Sequence, residues 1–274
     1  MINPLLALSN LQQRIIVAVL GIGLFLGMLY YGWQGAIILF DLILALCLYE
    51  FYSLSPFNIP RIWKAIGSIF GLAIFSVLLI TSLSTDSNFA RLLFFIPPIL
   101  FISLVFSGFE KPFEIAGWIV LGWFYLVTPW ISIVLMTLDF EYKPEIYLGL
   151  FGLLWMADSG AYFAGRSLGK TKLLPRVSPK KSWEGLAGGV ASALLLAWFL
   201  GQYVGGFTPN QWLVLAVSTT LAGTLGDLAE SVLKRSLDLK DSGNILPGHG
   251  GILDRFDGLF VAAPVNLLIV TFLF

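Results

Sequence analysis

Residues 211–236 read QWLVLAVSTTLAGTLGDLAESVLKRS. The segment 211–226 carries no charge, and Asp227, Glu230, Lys234 and Arg235 then follow within ten residues. An uncharged run of this length is too long for a strand and long enough to enter a bilayer as a helix. Asp227, Glu230, Ser231 and Lys234 fall at i, i+3, i+4 and i+7, which places them on one helical face. A carboxylate near the membrane interior costs roughly 2.5–3.5 kcal/mol, so it persists beside a partner, a cavity or a metal. An internal ion pair with a lysine accounts for Asp227 or Glu230 as readily as a metal does.

The rest of the chain repeats the apolar theme. Hydrophobic residues make up 58% of the 274 positions and charged residues 12%, against about 25% charged in a soluble domain. Apolar runs at about 15–33, 35–54, 65–83, 90–107, 113–138, 146–165, 185–205, 211–233 and 258–274 predict an all-α polytopic membrane protein with about nine transmembrane helices. Pro97-Pro98 predicts a kink or break in the fourth. The first run has no clear small-residue cleavage site and is read as a span rather than a signal peptide.

Net charge is zero, but its distribution is one-sided. With a cytosolic N-terminus and an outside C-terminus, every Lys and Arg except Arg91 and Lys143 falls on the cytosolic side. Asp86, Asp139, Glu141 and Glu145 share the outer side with those two, and an eight-span count breaks the partition. The chain divides into an N-terminal bundle, 1–140, and a C-terminal region, 141–274, with polar cytosolic segments at 166–184 and 234–257. Cys47, the single cysteine, allows no internal disulfide and reads as a buried, inert thiol. Glycine pairs at 67/71, 185/189 and 201/205 suit close helix packing and leave a homodimer open. No nucleic-acid partner is expected.

Two polar segments accompany the 227–236 face. Residues 240–258, KDSGNILPGHGGILDRFDG, contain Asp254 and Asp257, which share a face if the last helix begins there. With Asp227 they make an oxygen-rich set suited to Mg²⁺. One histidine and one cysteine argue against a dedicated zinc site. His249 is either structural or turned toward substrate. Residues 155–185 place Asp158, Tyr162 and Arg166 on one face, followed by the Ser178-Pro-Lys180-Lys181 turn and Glu184. Basic cytosolic loops set topology and touch anionic headgroups, which alone explains the lysines. A basic loop facing an acidic metal site also suits a polyphosphate substrate. No GxxxxGK[ST] loop occurs, so the chain is not a P-loop enzyme.

The segment from Ser231 to Asp257, together with Ser178–Glu184 and Asp158, resembles the bacterial phosphatidate cytidylyltransferases, or CDP-diacylglycerol synthases. The resemblance covers Ser231-Val-Leu-Lys234-Arg235, Lys240-Asp241-Ser-Gly and Leu-Pro-Gly-His249-Gly-Gly-Ile-Leu-Asp254-Arg255-Phe-Asp257 without departure, while residues 1–140 share only hydropathy. It implies transfer of CMP from CTP to phosphatidic acid, with release of pyrophosphate, at the cytosolic face of a bacterial inner membrane. It further implies Mg²⁺, a second monovalent cation such as K⁺ in some members, and metal association of Asp227 and Asp254. Asp257 joins that shell. Lys234, Arg235, Lys240 and Arg255 are then candidates to clamp phosphates, with Asp241 among the catalytic set and His249 a donor to pyrophosphate. Asp158, Ser178, Lys180, Lys181, Glu184 and Ser231 are expected to bind substrate.

Three other readings compete. A transporter or channel predicts charges through the depth of several spans, and only Asp41 lies near the middle of one. A CDP-alcohol phosphotransferase would carry DGxxAR, which is absent, whereas a CTP-dependent lipid kinase is distinguished by phosphate transfer to diacylglycerol. A non-enzymatic scaffold gives no reason for the acidic cluster. Asp41 and Glu50 have no assigned role.

Overall fold

The computed structural model of the chain describes residues 10–84, 87–243, 245 and 250–274. Ten α-helices appear among them: α1 (Asn10–Tyr30), α2 (Trp33–Ser53), α3 (Arg61–Leu83), α4 (Ile96–Val105), α5 (Pro112–Gly122), α6 (Thr128–Leu135), α7 (Pro144–Leu168), α8 (Trp183–Tyr203), α9 (Pro209–Ser236) and α10 (Leu259–Leu273). Between α7 and α8 a two-stranded antiparallel hairpin, β1 (Lys172–Leu174) and β2 (Ser178–Ser182), pairs Lys172 with Ser182 and Leu174 with Ser178. Ser178-Pro-Lys-Lys is therefore strand rather than turn. This is the one β element among the described residues of an otherwise helical protein.

Among the described residues, six helical stretches are long and apolar enough to cross a membrane: α2, α3, Pro112–Leu135, α7, α8 and α9. Shorter apolar helices at Ile15–Tyr30, Ala90–Val105 and Leu259–Leu273 fall on the first, fourth and ninth runs seen in the sequence. Large apolar side chains such as Phe106, Phe124, Leu195 and Phe272 stand outward on these helices, as a hydrocarbon environment permits. The chain is an integral membrane protein.

Local chemistry explains the irregular spans. A 3₁₀ stretch, Ser87–Phe95, changes to α-helix at Ile96, so Pro97 and Pro98 sit in the first turn of α4, where missing amides break no hydrogen bond. The expected break is at that junction. In the fifth span Pro129 cannot donate to the carbonyl four residues back. The chain takes a π-turn at Trp123–Val127 between α5 and α6.

Close packing relies on glycine where helices touch. A Cβ on Gly67 or Gly71 would strike Tyr52 or Leu48 of α2, and one on Gly201 would strike Pro209. The Gly185 and Gly189 positions abut the Ala161 and Ala157 carbonyls of α7. All three small-residue pairs are thus used within one chain and give no support to a dimer. Cys47 is fully buried, as expected of an inert thiol.

The C-terminal half positions the polar groups. Thr208 caps α9 in a reciprocal capping box with Gln211, and the helix runs unbroken to Ser236. Asn266 of α10 donates to Thr219 at 2.8 Å and accepts from Ser218, fixing α10 against α9. Gly226 lacks a side chain where the backbone of Asp257 and Gly258 passes, which brings the start of α10 beside the polar end of α9.

Candidate active site

Three sequence segments meet at one end of the bundle. From α9, Asp227 accepts from Ser231 Oγ at 3.3 Å. From β2, Lys181 Nζ lies 2.6 Å from Asp227 Oδ2. From α7, Asp158, Tyr162 and Arg166 point to the same place, with Arg166 Nη1 donating to Tyr162 at 3.1 Å. They line a cavity of about 460 Å³ together with Lys180, Ser182 and Thr224. Asp158, Tyr162 and Arg166 all reach the cavity as one face, whereas of the expected α9 face only Asp227 lines it.

The hairpin that carries Lys180 and Lys181 is held at its base. Glu184, in the first turn of α8, accepts the backbone amides of Lys170 and Thr171 at 3.1 Å. Ser182 caps α8 by accepting from Gly185 N at 3.1 Å. Glu184 was expected to bind substrate, and its carboxylate is committed to backbone. Ser178 begins β2 and is not among the residues lining the cavity.

A second network lies behind the first. Lys234 Nζ is 2.5 Å from Asp254 Oδ1 and 3.1 Å from Glu230 Oε1. The Glu230 contact is an ion pair without hydrogen-bond geometry, and neither Glu230 oxygen has a hydrogen-bond partner among the described residues. Asp254 Oδ2 accepts the amides of Ser242 at 3.0 Å and Gly251 at 3.2 Å. Burial opposes ionisation of Asp254, but Lys234 and the Ser242 amide outweigh it and hold its carboxyl below the usual range.

Asp254 and Asp257 do not share a helical face. Leu253–Arg255 forms a 3₁₀ turn, and α10 begins only at Leu259. Asp254 turns to Lys234, whereas Asp257 accepts from Gly258 N at 2.7 Å and lies within electrostatic reach of Asp227 and Asp158. Burial, then repulsion from Asp227, pushes the Asp257 carboxyl up to about 7. The Gly258 amide and Lys234 oppose the shift, and Asp158 adds to it. Among the described residues, no three His, Cys, Asp or Glu side chains converge tightly enough to hold a metal ion as they stand.

The remaining candidates are exposed and do not line the cavity. Arg235 donates to the Leu239 carbonyl at 2.9 Å, and Lys240, Asp241 and Arg255 face outward. His249 falls outside the described residues. The residue that the sequence did not mark is Glu50 of α2. It is 3% exposed, accepts from Ser242 Oγ, and accepts the Ile252 amide at 2.7 Å. A carboxylate near the end of an apolar run was the available signal.

An acidic and basic cavity at one end of a polytopic helical bundle defines a membrane-embedded enzyme acting on anionic groups. The sequence profile of the cytidylyltransferase family matches residues 12–273, and the chain belongs to that family. It is 35% identical to the phosphatidate cytidylyltransferase of Brucella suis over 267 residues, covering 95% of this chain and 93% of the relative. The Haemophilus influenzae protein of the same name is 45% identical over 152 residues, 52% of this chain and 53% of that relative. The Bacillus subtilis one is 53% identical over 113 residues, 41% and 42% of the two chains.

Proposed function

We propose that this chain transfers CMP from CTP to phosphatidic acid, yielding CDP-diacylglycerol and pyrophosphate for phospholipid synthesis. The observation that carries the proposal is the cavity in which Asp158 and Asp227 face Lys180, Lys181 and Arg166 at one end of the membrane helices. CTP arrives from the cytosol and phosphatidate stays in its leaflet. The cavity then belongs at the inner headgroup plane of a bacterial inner membrane, in a nine-span chain with its N-terminus cytosolic and its C-terminus outside.

The lipid phosphate attacks the α-phosphorus of CTP, and pyrophosphate leaves in line. A phosphate monoester is already largely ionised near neutral pH, so no general base is needed. The barrier is repulsion between two anions, and the protein's task is positioning and charge neutralisation. Lys180, Lys181 and Arg166 bind phosphate oxygens in the cavity. Lys234, held by Asp254, extends the positive field from behind, and Arg235, Lys240 and Arg255 add to it from exposed positions.

Mg²⁺ suits these residues by donor chemistry, and holding it requires them to draw closer than they stand. Asp158, Asp227 and Asp257 bring three carboxylates into mutual electrostatic reach, and among the described residues Lys181 is the ammonium bonded to them. These oxygens would hold the cation, which when bound polarises phosphate oxygens and steadies the leaving group. Asp254, expected as a ligand from the sequence, has Oδ1 on Lys234 and Oδ2 on backbone amides, so its ligation requires exchange of the Lys234 ammonium for the cation. A second, monovalent cation such as K⁺ would find further oxygen in the buried Glu230 carboxylate, which meets Lys234 as an ion pair.

Purified protein in detergent, given labelled CTP, phosphatidic acid and Mg²⁺, should form labelled CDP-diacylglycerol and release pyrophosphate. Phosphate transfer to diacylglycerol would instead mark a lipid kinase. Absence of turnover with any lipid, in folded protein, would sink the enzyme assignment.

A further inference from the structure

Glu50 belongs to the N-terminal bundle, for which the reaction gives no role, yet its carboxylate reaches the polar network. Its two oxygens go to opposite ends of the loop that precedes Asp254: Oε1 accepts from Ser242 Oγ, and Oε2 accepts from Ile252 N at 2.7 Å. Both described ends of the loop pack on this carboxylate. A Cβ on Gly243 or Gly251 would collide with it, and an alanine at either place would force it out.

Ser242 links Glu50 to Asp254. Its hydroxyl lies within hydrogen-bond distance of both carboxylates, with 3.1 Å to Asp254 Oδ2. One hydroxyl carries one proton and can donate to only one of them. The closer partner is Glu50, and Asp254 Oδ2 keeps the amides of Ser242 and Gly251. Glu50 therefore fixes the residue whose amide fixes Asp254, and Asp254 in turn holds Lys234 at 2.5 Å. The chain of contacts runs from α2 to α9 through buried or half-buried groups, where an unmade hydrogen bond is costly.

We infer that Glu50 is a positioning residue: it clamps both ends of the loop before Asp254 and so sets the Asp254–Lys234 pair for catalysis. The inference rests on the cytidylyl-transfer reading proposed above. Glu50 is not among the residues lining the cavity, and its effect passes through Ser242 and Ile252.

The test uses full-length Glu50→Gln, Ser242→Ala and the double variant, assayed with CTP, phosphatidic acid and Mg²⁺. Gln keeps the shape and one acceptor but turns an N–H₂ group toward a donor. We expect kcat to fall at least ~10-fold in Glu50→Gln, with KM for both substrates moving less than ~3-fold, as for a lost transition-state contact. The double variant should be little worse than Glu50→Gln alone, since both changes cut one path. If Glu50→Gln does not fold, Ser242→Ala must still reproduce the kcat-specific loss. Wild-type kcat in folded Glu50→Gln overturns the inference, as do fully multiplicative losses in the double variant. Inactive wild-type protein would instead overturn the proposed reaction.

Discussion

Asp227 and Asp254 sit in different electrostatic settings at the same end of the molecule, and this separates their roles. Asp227 meets Lys181 inside the cavity, whereas Asp254 meets Lys234 and backbone amides behind it. Asp227→Asn and Asp254→Asn should each lower turnover by at least about 100-fold, as loss of preorganised charge does. Activity near wild type in both would refute the metal and clamp assignments together. Asp257 gives a pH signature. Its native carboxyl titrates near 7 against an ordinary 3.8, so the folded state binds this proton more tightly than the unfolded chain. The stabilisation is complete below about pH 4 and is lost as pH rises through about 7. In chelator, the melting temperature should fall between about pH 5 and pH 8, and Asp257→Asn should flatten that slope. Equal slopes in the two proteins would remove Asp257 from the acidic cluster. The i, i+3, i+4 spacing made Asp227, Ser231 and Lys234 legible in the sequence, because an unbroken helix fixes neighbours by rule. Glu50 was not legible, because its partners lie about 190 to 200 positions away and only folding joins them.

At the scale of elements, the site depends on how closely α7 and α8 approach. A Cβ on Gly160 would lie 2.7 Å from the Gly188 carbonyl, a backbone atom that cannot rotate aside. Gly160→Ala should destabilise the protein by about 1–3 kcal/mol, the usual cost of overpacking. Activity should drop with stability, since Asp158 and Tyr162 flank that position on the same helix. Gly117→Ala in α5, with nothing near its Cβ, should melt at or above the wild-type temperature. Thermal unfolding in detergent distinguishes the two, and equal melting temperatures would deny that α7–α8 contact is tight. The hairpin was the element that hydropathy concealed. Its lysines read as an ordinary positive-inside loop, because a short strand pair has no periodicity that so charged a segment can display. What shapes it is Glu184, which gathers two backbone amides from across the loop. The break before Pro97 and the π-turn before Pro129, by contrast, each lie where a proline withdraws a donor. The first was visible in advance, whereas the second was hidden inside a run apolar enough to pass for a straight span.

For the whole molecule, the topology turns on the crossing of the short helices. The stretch from Ser87 to Val105 is the critical one, since its α-helical part, α4, has only ten residues. A 3₁₀ segment rises about 2.0 Å per residue and an α-helix about 1.5 Å, so the two together reach about 33 Å. That is enough for a hydrocarbon core of about 30 Å. Four crossings then separate Arg61, at the start of α3, from Lys180 on the hairpin, and both lie on one side. If the stretch did not cross, three would remain and the two residues would lie on opposite sides. Lys143, one span before Lys180, is opposite to it in either case. Cysteines placed singly at these exposed positions, in a Cys47→Ala background, report the side directly. An impermeant maleimide should label Lys143→Cys in intact cells, and Arg61→Cys and Lys180→Cys only in inverted vesicles. Labelling of Arg61→Cys from outside alongside Lys143→Cys would reduce the count below nine. Labelling of Lys180→Cys from outside would turn the cavity away from CTP and end the proposed reaction.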